Sequence, residues 1–294
     1  MKLLARDQVA FGKGGNMDVR AVLEELAAEA ARGDMLFPTH TEVALQVRRA
    51  LEDPDCSSQR LCTLISTEPL LSARIVGLAN SVAYNTTGTA VKDLHSAISR
   101  IGFSALRSMA TAFIVRQMQE MPATPEHRAL AARLWEHTTH VAALARVIAR
   151  RVTHQDPEAA FFAGIVHEMG GFYLLSRASA FPGLLEAIFG VWHGTGESRI
   201  GRAVLQGLAV PATALDAFAV LWRGYLSLPP ESLGDTLLLA NELAPVASPL
   251  ADLPADKHGG ASADIDMQLG EETLHGILAD SAEEIASLLA ALRT

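Results

Sequence analysis

Two runs decide the fold: Leu130-Ala131-Ala132-Arg133-Leu134-Trp135-Glu136-His137-Thr138-Thr139-His140-Val141, and Ala163-Gly164-Ile165-Val166-His167-Glu168-Met169-Gly170-Gly171. In the first, Leu130, Leu134, Val141, Leu144 and Ile148 recur at helical spacing, the stripe of a helix packed into a core. His137 falls on that stripe. The second belongs to a pattern that opens at Asp156-Pro157-Glu158, a capping residue followed by proline in the first turn, and runs through Phe161, Phe162, Ile165, Val166, Met169, Phe172 and Tyr173. Its opposite side is small, built from Ala160, Ala163, Gly164 and Gly171, which suits close approach of a neighbouring helix. His167 sits among these small residues, and Glu168 follows it.

Working outward, the 294 residues are 49% hydrophobic, which supports a globular chain with a full core. Net charge is -9, with 24 basic and 33 acidic residues and no Lys/Arg block, so nucleic acid and anionic membrane are not the expected partners. The longest apolar candidate, Leu208 to Trp222, is broken by Pro211 and Asp216 and predicts no membrane span, and Met1 to Phe11 lacks the apolar core of a signal peptide. Cys56 and Cys62, without CxxC spacing, read as reduced packed thiols and make a cytoplasmic location the default expectation.

Strand alternation and hairpin turns are missing throughout, so the expected class is all-α. Expected helices start at Asp18, at a Thr39/Glu42 capping box, at Ser57 or Ser58, and at Thr67 with Pro69 in its first turn. Gly102 is expected to separate one helix ending at Ile101 from another starting at Ser104. The expected division is an N-terminal arm and helix (1–34), an N-terminal helical lobe (35–122), a second helical lobe (123–250) and a connection with a C-terminal helix (251–294). The first helix is expected to cover the bundle that follows it. The last packs back on the core or mediates self-association.

A buried His on one helix and a His-acid pair about thirty residues later resemble the ligand pattern of the HD superfamily of metal-dependent phosphohydrolases. The two runs together resemble more specifically HDOD, the HD-related output domain of bacterial signalling proteins. So do Phe37-Pro38, Glu42-Val43, Leu64-Ile65-Ser66, Glu68-Pro69-Leu70, Leu78-Ala79-Asn80-Ser81 with Tyr84, Ala97-Ile98 and Gly102-Phe103-Ser104-Ala105-Leu106-Arg107. The resemblance covers residues 35 to 245. It implies a helical bundle packed on an HD-like lobe, and a non-catalytic regulatory protein that binds another signalling protein and needs no cofactor.

It also implies a vestigial ligand cluster of His137, His167, Glu168 and Asn241, with no metal expected. If a metal is held, His137, His140, His167 and Glu168 are the candidates. A catalytic HD site carries Asp at the positions of Glu168 and Asn241, so one carboxylate is lengthened here and another is an amide. Gly171 stands where many related hydrolases carry Lys. Two further readings stay open: a divalent-metal-dependent phosphohydrolase acting on a nucleotide or cyclic dinucleotide, and a module that senses a nucleotide or other small anion. Asn80, Ser81, Tyr84 and Arg107 form either a polar brace between helices or a patch where a partner docks.

Overall fold

The structure, a computed structural model, describes residues 17–32, 41–188, 192, 196–208, 210, 212–250 and 274–293, and these form helices with no β-strand among them. The glycine-rich arm, the capping box expected at Thr39, and the connection 251–273 lie outside the described residues. In chain order the helices are α1 Val19–Ala31, α2 Glu42–Ala50, α3 Ser58–Ile65, α4 Pro69–Ala79, α5 Leu94–Met118, α6 Pro125–Arg151, α7 Pro157–Val166 and α8 Met169–Arg177. They continue with α9 Leu184–Ile188, α10 Glu197–Gly207, α11 Ala212–Arg223, α12 Leu233–Glu242, α13 Leu274–Asp280 and α14 Ala282–Arg293.

Short-range signals set most of the helix starts. Asp18 accepts a hydrogen bond from Ala21 N, Ser57 from Arg60 N, and Asp156 from Glu158 N, each satisfying an amide that the first turn leaves without a partner. Two starts differ from expectation. Glu68, not Thr67, caps α4, because Pro69 takes the first helical position and Glu68 reaches Leu70 N. The α12 helix begins at Leu233 and not at Pro229-Pro230, since Ser232 and Asp235 form a reciprocal capping box. At Gly102 the chain bends with φ +77°, a conformation that favours glycine, and helical structure resumes directly to complete α5.

One contiguous apolar core runs through the molecule, from Val22 and Leu26 to Leu288 and Leu292. Helices α2, α3 and α4 pack on α5, and α5 packs on α7. The long α6 is the hub of the second half, touching α7, α8, α12, α13 and α14. Leu94–Met118 and Pro157–Ala180 are long and apolar enough to pass a membrane-span test, which reading for an unbroken apolar run misses. Their most apolar windows are 67% and 89% buried inside the protein, as core helices are.

Both terminal helices are pinned by buried polar contacts. The α1 helix packs on α10 and α9, not on the bundle that follows it, and Glu29 explains why: it accepts from Arg177 at 2.7 Å and from Tyr173 Oη at 3.3 Å. The α14 helix lies back on α6 and α4, where Glu284 accepts from Arg146 at 2.8 Å and also from Arg150. Arg146 in turn meets Glu158 at 3.1 Å, and Glu158 accepts from Tyr84 Oη at 2.7 Å. Burial and the Glu158 charge raise the Tyr84 phenol far above its ordinary pKa, so it stays a donor.

Candidate functional site

The apolar pattern that begins at Asp156 is not one helix. It stops at Val166, with His167 as the last cap and Glu168 (φ -98°, ψ 15°) starting α8 at Met169. Glycines make the break compact. A Cβ on Gly164 would stand 2.5 Å from Ala142 Cα, so α6 and α7 approach backbone to backbone. A Cβ on Gly171 would stand 3.0 Å from Glu168 Oε2 and 2.7 Å from Leu250, so the absence of a side chain there leaves room for the Glu168 carboxylate.

His137, His167 and Glu168 converge at this break, with ligand atoms all within 4.8 Å of one another and exposures of 1%, 3% and 5%. His137 Nε2 lies 3.2 Å from His167 Nε2, 3.9 Å from Glu168 Oε1 and 3.1 Å from Asn241 Oδ1 on α12. The four residues read from the sequence as a vestigial ligand set are therefore neighbours in space. His140 is not in the group of three: it is partly exposed, and its Nδ1 bonds to Glu136 O at 2.8 Å.

The two rings are fixed from behind. His137 Nδ1 donates to Val246 O at 2.7 Å, and His167 Nδ1 donates to Gly164 O at 2.7 Å. Neither carbonyl can donate, so both Nδ1 atoms carry the proton, and a neutral ring then presents a bare lone pair at Nε2. Burial lowers the pKa of His137, against the opposing hydrogen bonds to Val246 and Asn241. Burial and the facing His137 charge lower that of His167 to about 3. Two lone pairs, a carboxylate and an amide oxygen thus face one centre.

That is the donor set of a divalent cation: imidazole nitrogens whose outer N–H groups are held by carbonyls, plus oxygen ligands. The expected misfit of the longer Glu168 side chain is not what the structure shows, because the Gly171 gap accommodates it. Charge balance is poorer than in a two-carboxylate site, since Asn241 brings a neutral amide.

The candidate docking residues are all engaged within the chain. Asn80 braces its own loop, donating to Val91 O at 2.9 Å and accepting from Val91 N at 2.8 Å. Ser81 is buried and donates to Leu78 O at 2.7 Å. Tyr84 belongs to the Glu158 and Arg146 network, its ring lying 4.7 Å under the Arg146 guanidinium. Arg107 sits apart on α5 and donates once, to Leu51 O at 3.3 Å. Sequence reading missed the Arg146–Glu284 pair, because 138 positions separate its members and neither stands in a motif.

Among solved structures, the chain is similar to a provisionally named metal-dependent phosphohydrolase from Shewanella amazonensis SB2B, at 21% identity and TM-score 0.69, covering 94% of this chain and 99% of that one. An HDOD domain protein of unknown function from Geobacter sulfurreducens gives 22% identity and TM-score 0.60 over 94% and 98%. A provisionally named signal transduction protein from Marinobacter aquaeolei VT8 gives 16% identity and TM-score 0.58 over 94% and 67%. At these identities the likeness establishes the fold alone. No curated protein matches the chain. The HDOD domain model matches residues 37–188, just over half of the sequence and the part that builds the helix break, and the chain therefore belongs to the HDOD family.

Proposed function

We propose that the protein is a non-catalytic regulatory member of this family that acts in signal transduction by binding another signalling protein. The observation that carries the reading is the Asn241 amide 3.1 Å from His137 Nε2, where a catalytic HD site needs a second carboxylate. With one carboxylate, the cluster under-compensates a divalent charge, and the exposures of 1–5% work against entry of a phosphate ester. The partner surface we favour includes Phe103, which is 42% exposed, and Arg107, four residues on along α5.

A second reading is favoured by one specific observation, the convergence of lone pairs at His137, His167 and Glu168. On this reading these three residues hold a divalent ion, and the protein hydrolyses a nucleotide or cyclic dinucleotide. A bound ion would supply Lewis acidity and a water of lowered pKa. The residues themselves orient the imidazoles through the Val246 and Gly164 carbonyls and exclude bulk water.

The deciding experiment assays the full chain and Glu168→Ala with Mn²⁺, Fe²⁺, Mg²⁺ and Zn²⁺ against nucleotides and cyclic dinucleotides. The expected result is no turnover. Metal-dependent hydrolysis on the order of 1 per second, abolished by the substitution, would replace the regulatory reading with the enzymatic one.

A further inference from the structure

The buried arginines of this chain are not treated alike. Arg146 has two carboxylates, Glu158 at 3.1 Å and Glu284 at 2.8 Å, and Arg48 has the Leu208 carbonyl. Arg74 on α4 is only 4% exposed, yet its Nε has no hydrogen-bond partner, and no described residue supplies its guanidinium with a carboxylate or carbonyl. Its one partner is the ring face of Phe113, 5.4 Å from its Cζ. A ring face offsets only part of the cost of burying a cation.

A second cation makes the position less favourable still. Arg116 lies three residues beyond Phe113 on α5, on the same side of the helix, and no described residue pairs with it. Burial first, and then the Arg116 charge, pulls the pKa of Arg74 below its ordinary value. Beside Arg74 there is room: one turn along α4, a Cβ on Gly77 would meet no atom within 4 Å. Two cations without counter-charge, one of them nearly buried, beside open space, are the complement of an oxyanion.

We propose that Arg74 and Arg116, with the open space at Gly77, form a binding site for the phosphoryl group of a small ligand. Charge selects phosphoryl over carboxylate, since a phosphate monoester carries about -1.5 to -2 at neutral pH, against a single charge on a carboxylate. Guanidinium groups match its oxygens with paired N–H donors. The site is built on α4 and α5, which contribute nothing to the histidine cluster, so it stands whether or not that cluster is catalytic.

The test is calorimetric titration and thermal melting of the full chain with inorganic phosphate, a nucleoside monophosphate and O-phosphoserine, against chloride at matched ionic strength. Binding is expected, with the dissociation constant raised about tenfold or more by Arg116→Ala, as loss of a charge-assisted contact implies. Arg74→Met should keep a melting temperature at or above that of the wild type, because it removes an unpaired buried charge, while abolishing the ligand-dependent rise. Tightest binding of the nucleoside monophosphate supports the site and makes the ligand a nucleotide, whereas equal affinity for all three supports a site that reads the phosphoryl group alone. No phosphate-specific effect on the wild type, or an effect that survives both substitutions, overturns the proposal.

Discussion

The Nε2 atoms of His137 and His167 face each other at 3.2 Å while both Nδ1 atoms are committed to backbone carbonyls. A divalent cation relieves this opposition of lone pairs even where it supports no turnover. Mn²⁺ or Zn²⁺ added to chelator-treated protein is expected to raise the melting temperature by at least about 2 °C, the shift that roughly 1 kcal/mol gives in a domain of this size. His167→Ala should remove the shift, and metal analysis of the two proteins should show the same difference.

His137→Ala should act mainly on stability. It leaves a cavity in a site that is 1% exposed and strands the Val246 carbonyl and the Asn241 amide. The expected loss is about 1–4 kcal/mol, read from urea denaturation.

Glu284→Ala is expected to destabilise the chain by about 2–4 kcal/mol, because it leaves the Arg146 guanidinium buried without one of its carboxylates. The value falls toward the lower end of the range for buried pairs, since Arg150 is 39% exposed and keeps its hydration. Limited proteolysis should release α14 first in the variant. An unchanged cleavage pattern together with unchanged stability would show that Glu284 does not anchor the helix.

Gly164→Ala should cost about 1–3 kcal/mol or more. The new methyl would fall 2.5 Å from Ala142 Cα and 2.9 Å from Ala142 N, and backbone cannot swing away as the end of a side chain can. Denaturation midpoints of the two proteins, compared at equal slope, measure it.

Asp235 sets a pH dependence. Burial pushes its pKa up, but hydrogen bonds from Ser232, Ser227 and Glu231 together outweigh burial and hold the carboxyl below its ordinary value. Its contribution is therefore fully present above the unfolded value, near pH 4, and is lost as the pH falls through the lower folded value. Asp235→Asn should flatten that acid limb and lower stability at neutral pH by about 1–3 kcal/mol, both measurable from melts across a pH series.

Arg107→Ala tests the docking surface. Only one hydrogen bond, 3.3 Å to Leu51 O, is lost, so stability should change by about 0.5 kcal/mol or less while capture of the signalling partner is reduced. A large loss of stability with unaltered capture would make Arg107 a structural brace.

The helical class, the caps at Asp18, Ser57 and Asp156, the bend at Gly102 and the burial of His137 and His167 were all legible in the sequence, because each rests on residues within a few positions of one another. The helix break at His167 and Glu168 was not. The apolar pattern runs through it unbroken, and the stop comes where Gly164 meets α6 and Gly171 gives space to Glu168. The lone-pair opposition required Val246 and Asn241, more than a hundred positions from His137. The seating of α1 on α10 and of α14 on α6 likewise came from Glu29 and Glu284, charged residues that look like solvent-facing positions until distant arginines are brought to them. Local periodicity and capping chemistry determined which segments are helices. Which polar groups the helices bury together was decided by tertiary packing alone, because a buried charge or lone pair is tolerated only beside a partner that the chain supplies from far away in sequence.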